Sequence, residues 1–444
     1  MTEHAPDIAS SPTVSRAGDH IYLVHTGERP SQGLTEFAGR LSPVRPGEAV
    51  VVVGAPLHGD GSEALCACLA PSLDSIRDAH VRLLTLVMSA GAHGAGGQPS
   101  AARTICEGWG LDVLAAAGTA LVTADGTLFS PDLPGASGGW WHFSPGADTR
   151  RVSSHLPVPE WEPAVRRLGR QTVAGHMVEP VPAGLAVRPA GPAPVTAHTR
   201  PHTIPPERDR PQLILASPQV PAAVLAVVMA ALPEPVRAAL RLLSLDGQPL
   251  TRLGEELADL LDRDVHVAVG APVGGDGGTP HGASAGDATV ELSMVDSRGR
   301  PLWRPFARTV VCSPAATGSV RSPRVTESRL PVAPHGSIAP DVLSLDKDCK
   351  VVVTPAGLWL GPRDAEPPVL AMVRPPAPES VAVDLGLPRR PLADCLWDGL
   401  EALLERLEPD VLARVVVHAY GDLDARDRER LVESSARHRF SMVS

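Results

Sequence analysis

Apolar residues in this chain fall into short continuous runs, separated by longer stretches with helix-like character. Ala49-Val50-Val51-Val52-Val53 and Gln212-Leu213-Ile214-Leu215 are the clearest runs. A strand covered on both faces reads this way, because neither side of its pleat meets water. Such runs alternating with helical stretches predict an α/β fold, with mostly parallel sheets in three-layer units. Alternating hairpin patterns close the first two units: 120–123 and 127–129 flank Asp125-Gly126, and 290–295 and 301–306 flank Arg298-Gly299. Asp-Gly between alternating runs is a strong hairpin signal. These hairpins are expected to extend each sheet as an antiparallel edge.

The pattern recurs along the chain. Arg82-Leu83-Leu84-Thr85-Leu86 resembles Arg241-Leu242-Leu243-Ser244-Leu245. Gly97-Gln98-Pro99 and Gly247-Gln248-Pro249 follow, each before a helical stretch (100–109 and 250–261), and then Asp112-Val113 and Asp264-Val265. Pro182-Ala183-Gly184-Leu185 and Pro355-Ala356-Gly357-Leu358 each mark a tight turn. Later come Val381-Ala382-Val383, a helix over 391–407, a strand over 413–417 and a helix over 425–436. The reading is a tandem repeat of two complete units and a shortened third. Its expected boundaries are a disordered tail at 1–17, units at 18–150 and 172–320, Pro-rich connectors at 151–171 and 321–337, and a third unit at 338–444 lacking the closing hairpin. Stretches 194–210 and 270–287, rich in Gly, Pro and His, read as flexible loops.

Composition narrows the function. At 444 residues the chain exceeds one core. Aromatic content is 3%, so Leu, Val and Ala must fill the interior. Positive charge is nearly all arginine, which with the Ala and Pro richness suggests a GC-rich genome such as an actinobacterium's. A net charge of −10 with no basic run argues against nucleic acid as a partner. No apolar run is long enough to span a membrane, and the polar N-terminus has no secretory h-region, so the expected location is cytoplasmic, or outside by a non-classical export route. Six scattered cysteines do not make a disulfide framework.

Ligands in parallel sheets sit at the C-terminal ends of the strands. At that corner the first unit has Val87-Met88-Ser89, the second Leu245-Asp246 and the third His418. A retained nucleophile does not change type in this way. The unit pattern resembles the caspase-like domains of some large bacterial toxins, which carry His-Gly after one strand and Cys after the next. Here Leu57-His58-Gly59 fits the first element, and Met88 stands where the resemblance implies cysteine. Methionine is no nucleophile. The second unit has Ser217-Pro218 for His-Gly, and the third has Leu385-Gly386 and His418. The resemblance therefore implies a degenerate, inactive lineage.

The remaining catalytic candidates are His58, Cys66 and Cys68; the cysteines otherwise read as a buried helical thiol pair. Gly91, Gly94, Gly96 and Gly97 lie in a strand-to-helix loop, the context of a phosphate site, but without G-x-G-x-x-G spacing or Gly-Lys-Ser/Thr. The bland reading is a connector. His25, His58 and His93 could share an edge of the first unit, but no carboxylate falls at ligand spacing, so no metal is expected. His266 reads as a satisfied core residue, and His198 and His202 as solvated. No G-x-S-x-G elbow exists. Charges alternating over 426–430 read as a solvated helix face. Trp140, Trp141 and Trp303 are interface candidates or sheet-edge caps. No cofactor is expected. The sequence favours a non-catalytic scaffold with a protein partner, an accessory part of a toxin, secretion or conflict system. The alternatives are a degenerate hydrolase active only in the first unit, or a nucleotide-binding module using 91–97.

Overall fold

The computed structural model describes residues 12–41, 44–54, 61–94, 97–123, 125–133, 137–191, 200–217, 219–273, 291–315, 321–331, 337–339, 341–345 and 347–443. The fold is α/β, with three large mixed sheets in chain order. Across the first sheet run Thr13–Gly18, Ile21–His25, Glu48–Val53, Leu83–Val87, Asp112–Ala116, Trp140–Phe143 and Arg150–Ser153. The second runs Gln171–Val173, His176–Val181, Gly184–Pro189, Gln212–Leu215, Arg241–Ser244, Val265–Ala268, Ala307–Cys312 and Arg324–Ser328. The third runs Ser337–Ala339, Val342–Ser344, Cys349–Thr354, Gly357–Pro362, Val381–Leu385, Val415–Ala419 and Ser441–Val443.

The sheets share a frame. An antiparallel hairpin precedes each parallel run, with one further antiparallel strand outside it in the second sheet and two in the third, and the hairpin's second strand begins a run of four parallel strands in sequence order. Two antiparallel strands then close the first and second sheets. Rows across the sheets are matched by counting from the first residue pair of each parallel run, Ile21 with Val50, Gly184 with Gln212 and Gly357 with Ala382. Tyr22, Val51, Leu86 and Ala115 form one row across the first sheet. Leu185, Leu213, Leu242 and Val267 form that row in the second. Leu358, Val383, Val417 and Met442 form it in the third.

Several expectations change. The predicted hairpins do not extend the large sheets. Leu121–Val122 and Leu128–Phe129 join His155–Leu156 in a separate small sheet, and Glu291–Val295 and Pro301–Trp303 join Ala271–Val273 in another. The longer strands that follow them close the sheets instead. The expected tail contains the edge strand Thr13–Gly18, and both expected connectors carry closing strands. Prolines 157, 159 and 331 punctuate these segments without unfolding them. Ser441–Val443 is the fourth parallel strand, not the start of a hairpin. Register also places Leu86 level with Leu242, three residues from where the Arg-Leu-Leu likeness puts it. The Asp-Val pairs do fall in register, Val113 with Val265. Ala271–Val273 is strand rather than loop, and most of 270–287 lies outside the described residues.

Helices pack onto the parallel strands and bury them. On the first sheet, Gly61–Asp78 and Ala101–Trp109 pack against the Tyr22–Ala115 row, and Gln32–Arg40 lies on the other face. Helix Ala101–Trp109 starts where the Ser100 side chain accepts from the Arg103 N–H. It stops at Gly110, whose left-handed φ of 68° returns its N–H to Cys106. The turns Pro182-Ala183 and Pro355-Ala356 are followed by Gly184 and Gly357 at φ 144° and 158°. A Cβ there would lie 2.2 Å from the Gln212 carbonyl oxygen and 2.1 Å from that of Ala382. Only glycine lets the hairpin approach the first parallel strand this closely. The second and third sheets share one hydrophobic core.

Candidate functional site

The C-terminal corner of the first sheet carries Met88 and the loop with Gly91, Gly94 and Gly97. His58 and Gly96 lie outside the described residues. Met88 packs half-buried against the core, and Ser89 Oγ accepts the Ala120 N–H. The loop after Met88 uses its own amides. Ala90 N–H donates to Gly118 O, Gly91 to Met88, Ala92 to Ala116 and His93 to Ala90, at 2.9–3.2 Å. A phosphate cradle needs such donors turned outward. A Cβ on Gly94 would sit 2.0 Å from Gln98 O, so this glycine serves the loop's own fold, and Gly97 supplies a φ of 81°. Ser100 caps the helix that follows.

Cys66 and Cys68 both lie on helix Gly61–Asp78 but point to different sides. Cys66 is buried in the core, whereas Cys68 is half-buried and donates to Pro12 O at 3.2 Å. Residues two apart on a helix face apart, so these are not a pair. Burial pushes both thiols above the usual range, away from the reactive thiolate. His25 is buried, with Nδ1 at 2.9 Å from Gly27 O and Nε2 at 3.2 Å from Ser15 Oγ, and His93 is exposed. Among the described residues no group of three His, Cys, Asp or Glu could hold a metal ion.

Counted from the first residue pair of each parallel run, Ser244 and Ala419 hold the place of Met88. Ser244 Oγ donates to Asp246 Oδ1 at 2.5 Å and accepts the Gln248 N–H at 3.1 Å, which holds its own loop. The third sheet carries a cluster the sequence did not reveal. Asp384 is fully buried and accepts from Arg374 at 3.1 Å. Arg374 also donates to the Tyr420 hydroxyl at 3.0 Å. His418 stands level with Asp384 on the next strand. Burial raises the Asp384 carboxyl despite Arg374, and burial lowers His418.

A second unforeseen cluster ties the first unit to the helix Glu162–Leu168. Ser153 Oγ donates to Glu162 Oε2 at 2.6 Å, and His155 Nδ1 lies 3.4 Å from Ser153 Oγ. Burial holds His155 down at about 3, with Arg151 and Arg166 adding to the shift, while burial raises Glu162. Three residue types of a hydrolase meet here, but the serine proton goes to the carboxylate and not to histidine. Ser153 also has no exposed surface. An adjoining cavity of about 100 Å³ is lined by Asp132, Arg151 and His202. His202 is thus half-buried rather than solvated, and His198 lies outside the described residues.

In the second sheet, buried Arg241 bonds Gln212 at 3.0 Å, Thr309 at 3.1 Å and Glu327 at 3.3 Å, and pairs with Glu207. His266 flanks this network with Nδ1 unpartnered, so it is not the satisfied core residue expected. Trp140 and Trp303 are buried rather than exposed. Trp140 packs in the core and Trp303 donates to Pro378 O. Trp141 is half-buried and donates to Gly138 O at 3.1 Å. Trp140 and Trp141 lie on a strand that closes the first sheet, and Trp303 lies on a small separate sheet from which it reaches Pro378. Comparison with protein-family models, curated proteins and solved structures finds no match in any of the three.

Proposed function

We propose that this chain is a non-catalytic scaffold or binding protein that packs against a protein partner. An accessory role in a toxin, secretion or conflict system suits such a part. One observation carries the reading: counted from the first residue pair of each parallel run, the strand-end corner holds Met88, Ser244 and Ala419, three side chains with no common chemistry. The loop amides beside Met88 are bonded internally, which also weighs against nucleotide binding at 91–97. A degenerate caspase-like ancestry fits the lost nucleophile. No helix among the described residues is long and apolar enough to cross a membrane. The test is turnover of a fluorogenic peptide panel with Asp, Arg or Lys before the scissile bond, together with labelling by thiol- and serine-directed probes. The reading expects neither turnover nor labelling above that of a C66A/C68A variant. Saturable turnover lost in that variant would overturn it.

A further inference from the structure

Among the described residues, the central strands of the first sheet have one stretch of their second face with no helix packed on it. Val50, Thr85 and Leu114 form a registered row across three parallel strands, and all three are half-buried. Central parallel strands are ordinarily covered on both faces. This row instead floors a cleft of about 530 Å³, within the range of roughly 300–1,000 Å³ typical of small-molecule sites. Leu41, Leu128 and Leu156 are among its walls.

The second sheet shows what closes this place when it is closed. The row level with Val50, Thr85 and Leu114 is Gln212, Arg241 and His266. There the Arg241 side chain fills the space and is tied down by Gln212, Thr309, Glu207 and Glu327. Nothing equivalent projects from Thr85. The rim carries two exposed guanidiniums, Arg45 and Arg208, and one half-buried carboxylate, Glu48. Neither arginine has an ion-pair partner among the described residues.

We propose that this cleft binds a small amphipathic anion, an aliphatic chain lying on Val50, Thr85 and Leu114 with a carboxylate held by Arg45 and Arg208. The apolar floor gives the chain its burial, and the excess of positive charge at the mouth selects the sign of the head group. The inference goes beyond the scaffold reading and stands whether or not a protein partner exists.

Isothermal titration of the full chain with decanoate, below its micelle concentration, tests the proposal. The expected result is one site with a negative heat-capacity change. Decylammonium should bind more weakly. Arg45→Glu with Arg208→Glu, both on the exposed rim, should weaken decanoate roughly tenfold. Thr85→Arg should abolish binding in a chain that still melts cooperatively; if that variant does not fold, the rim pair decides. No decanoate binding at millimolar concentration, equal binding of decylammonium, or unchanged affinity in the rim variant would overturn the proposal.

Discussion

The Trp303 indole N–H donates to the Pro378 carbonyl at 2.8 Å, across the boundary between the second and third units. Trp303 is buried beside Phe306. The shared core and the Arg329–Glu408 pair at 2.7 Å bind the same two units. These units are therefore expected to unfold together. Trp303→Ala should cost about 3–5 kcal/mol through the cavity it leaves. Trp303→Phe should cost roughly 1–3 kcal/mol, chiefly from the unpaired carbonyl. Urea unfolding followed by far-ultraviolet dichroism reads both.

Gly184 and Gly357 hold matching positions in two hairpins. Alanine at either should destabilise by more than about 2 kcal/mol, because the new Cβ meets a backbone carbonyl that cannot move alone. Gly33 is the control. It lies in helix Gln32–Arg40 with nothing within 4 Å of an added Cβ. Gly33→Ala should stabilise by roughly 0.5 kcal/mol. Thermal melts of the three variants check the contrast.

Much of this frame is readable from local sequence. The Pro-Ala-Gly-Leu turns, the Asp-Val strand starts and the Gly-Gln-Pro helix entries each depend on a few adjacent residues, and each lies where its pattern puts it. The Arg-Leu-Leu likeness misled by three residues, because leucine-rich runs match one another at several offsets. Only strand register, a long-range property, separates those offsets. The polar clusters were hidden for a similar reason. Arg241 reaches Glu207 and Glu327 over separations of 34 and 86 residues. Arg374, Asp384 and Tyr420 likewise meet only after the third sheet assembles.

The Arg241 network is expected to matter as a unit. Arg241→Ala strands Glu207 beside a buried gap and leaves Glu327 with Arg210 alone, and should cost about 3–5 kcal/mol. Arg241→Met combined with Glu207→Gln should recover most of that loss, because Glu327 keeps Arg210 and no unpaired carboxylate is left facing an apolar space. Denaturant midpoints for the single and double variants measure the coupling.

His155 sets an acid limit. Its pKa falls from an ordinary 6.5 to about 3, driven first by burial. Between those values the unfolded chain binds the extra proton, so this group's share of stability is full above 6.5 and is lost as pH falls toward about 3. Glu162, raised by burial, acts in the opposite sense as pH rises past 4.5. The His155→Gln variant should therefore show a flatter melting temperature between pH 6.5 and 4.5 than the parent chain.

The claim beneath the scaffold reading is that the first unit has no activated nucleophile, and alkylation kinetics of Cys66 and Cys68 test it most directly. Each thiol is followed by mass spectrometry during iodoacetamide treatment at pH 7.5, in the native and the urea-unfolded chain. Burial predicts slower native than unfolded reaction at both positions, with Cys66 the slower. A native rate at either cysteine faster than that of the unfolded chain would reveal an activated thiolate and contradict the account.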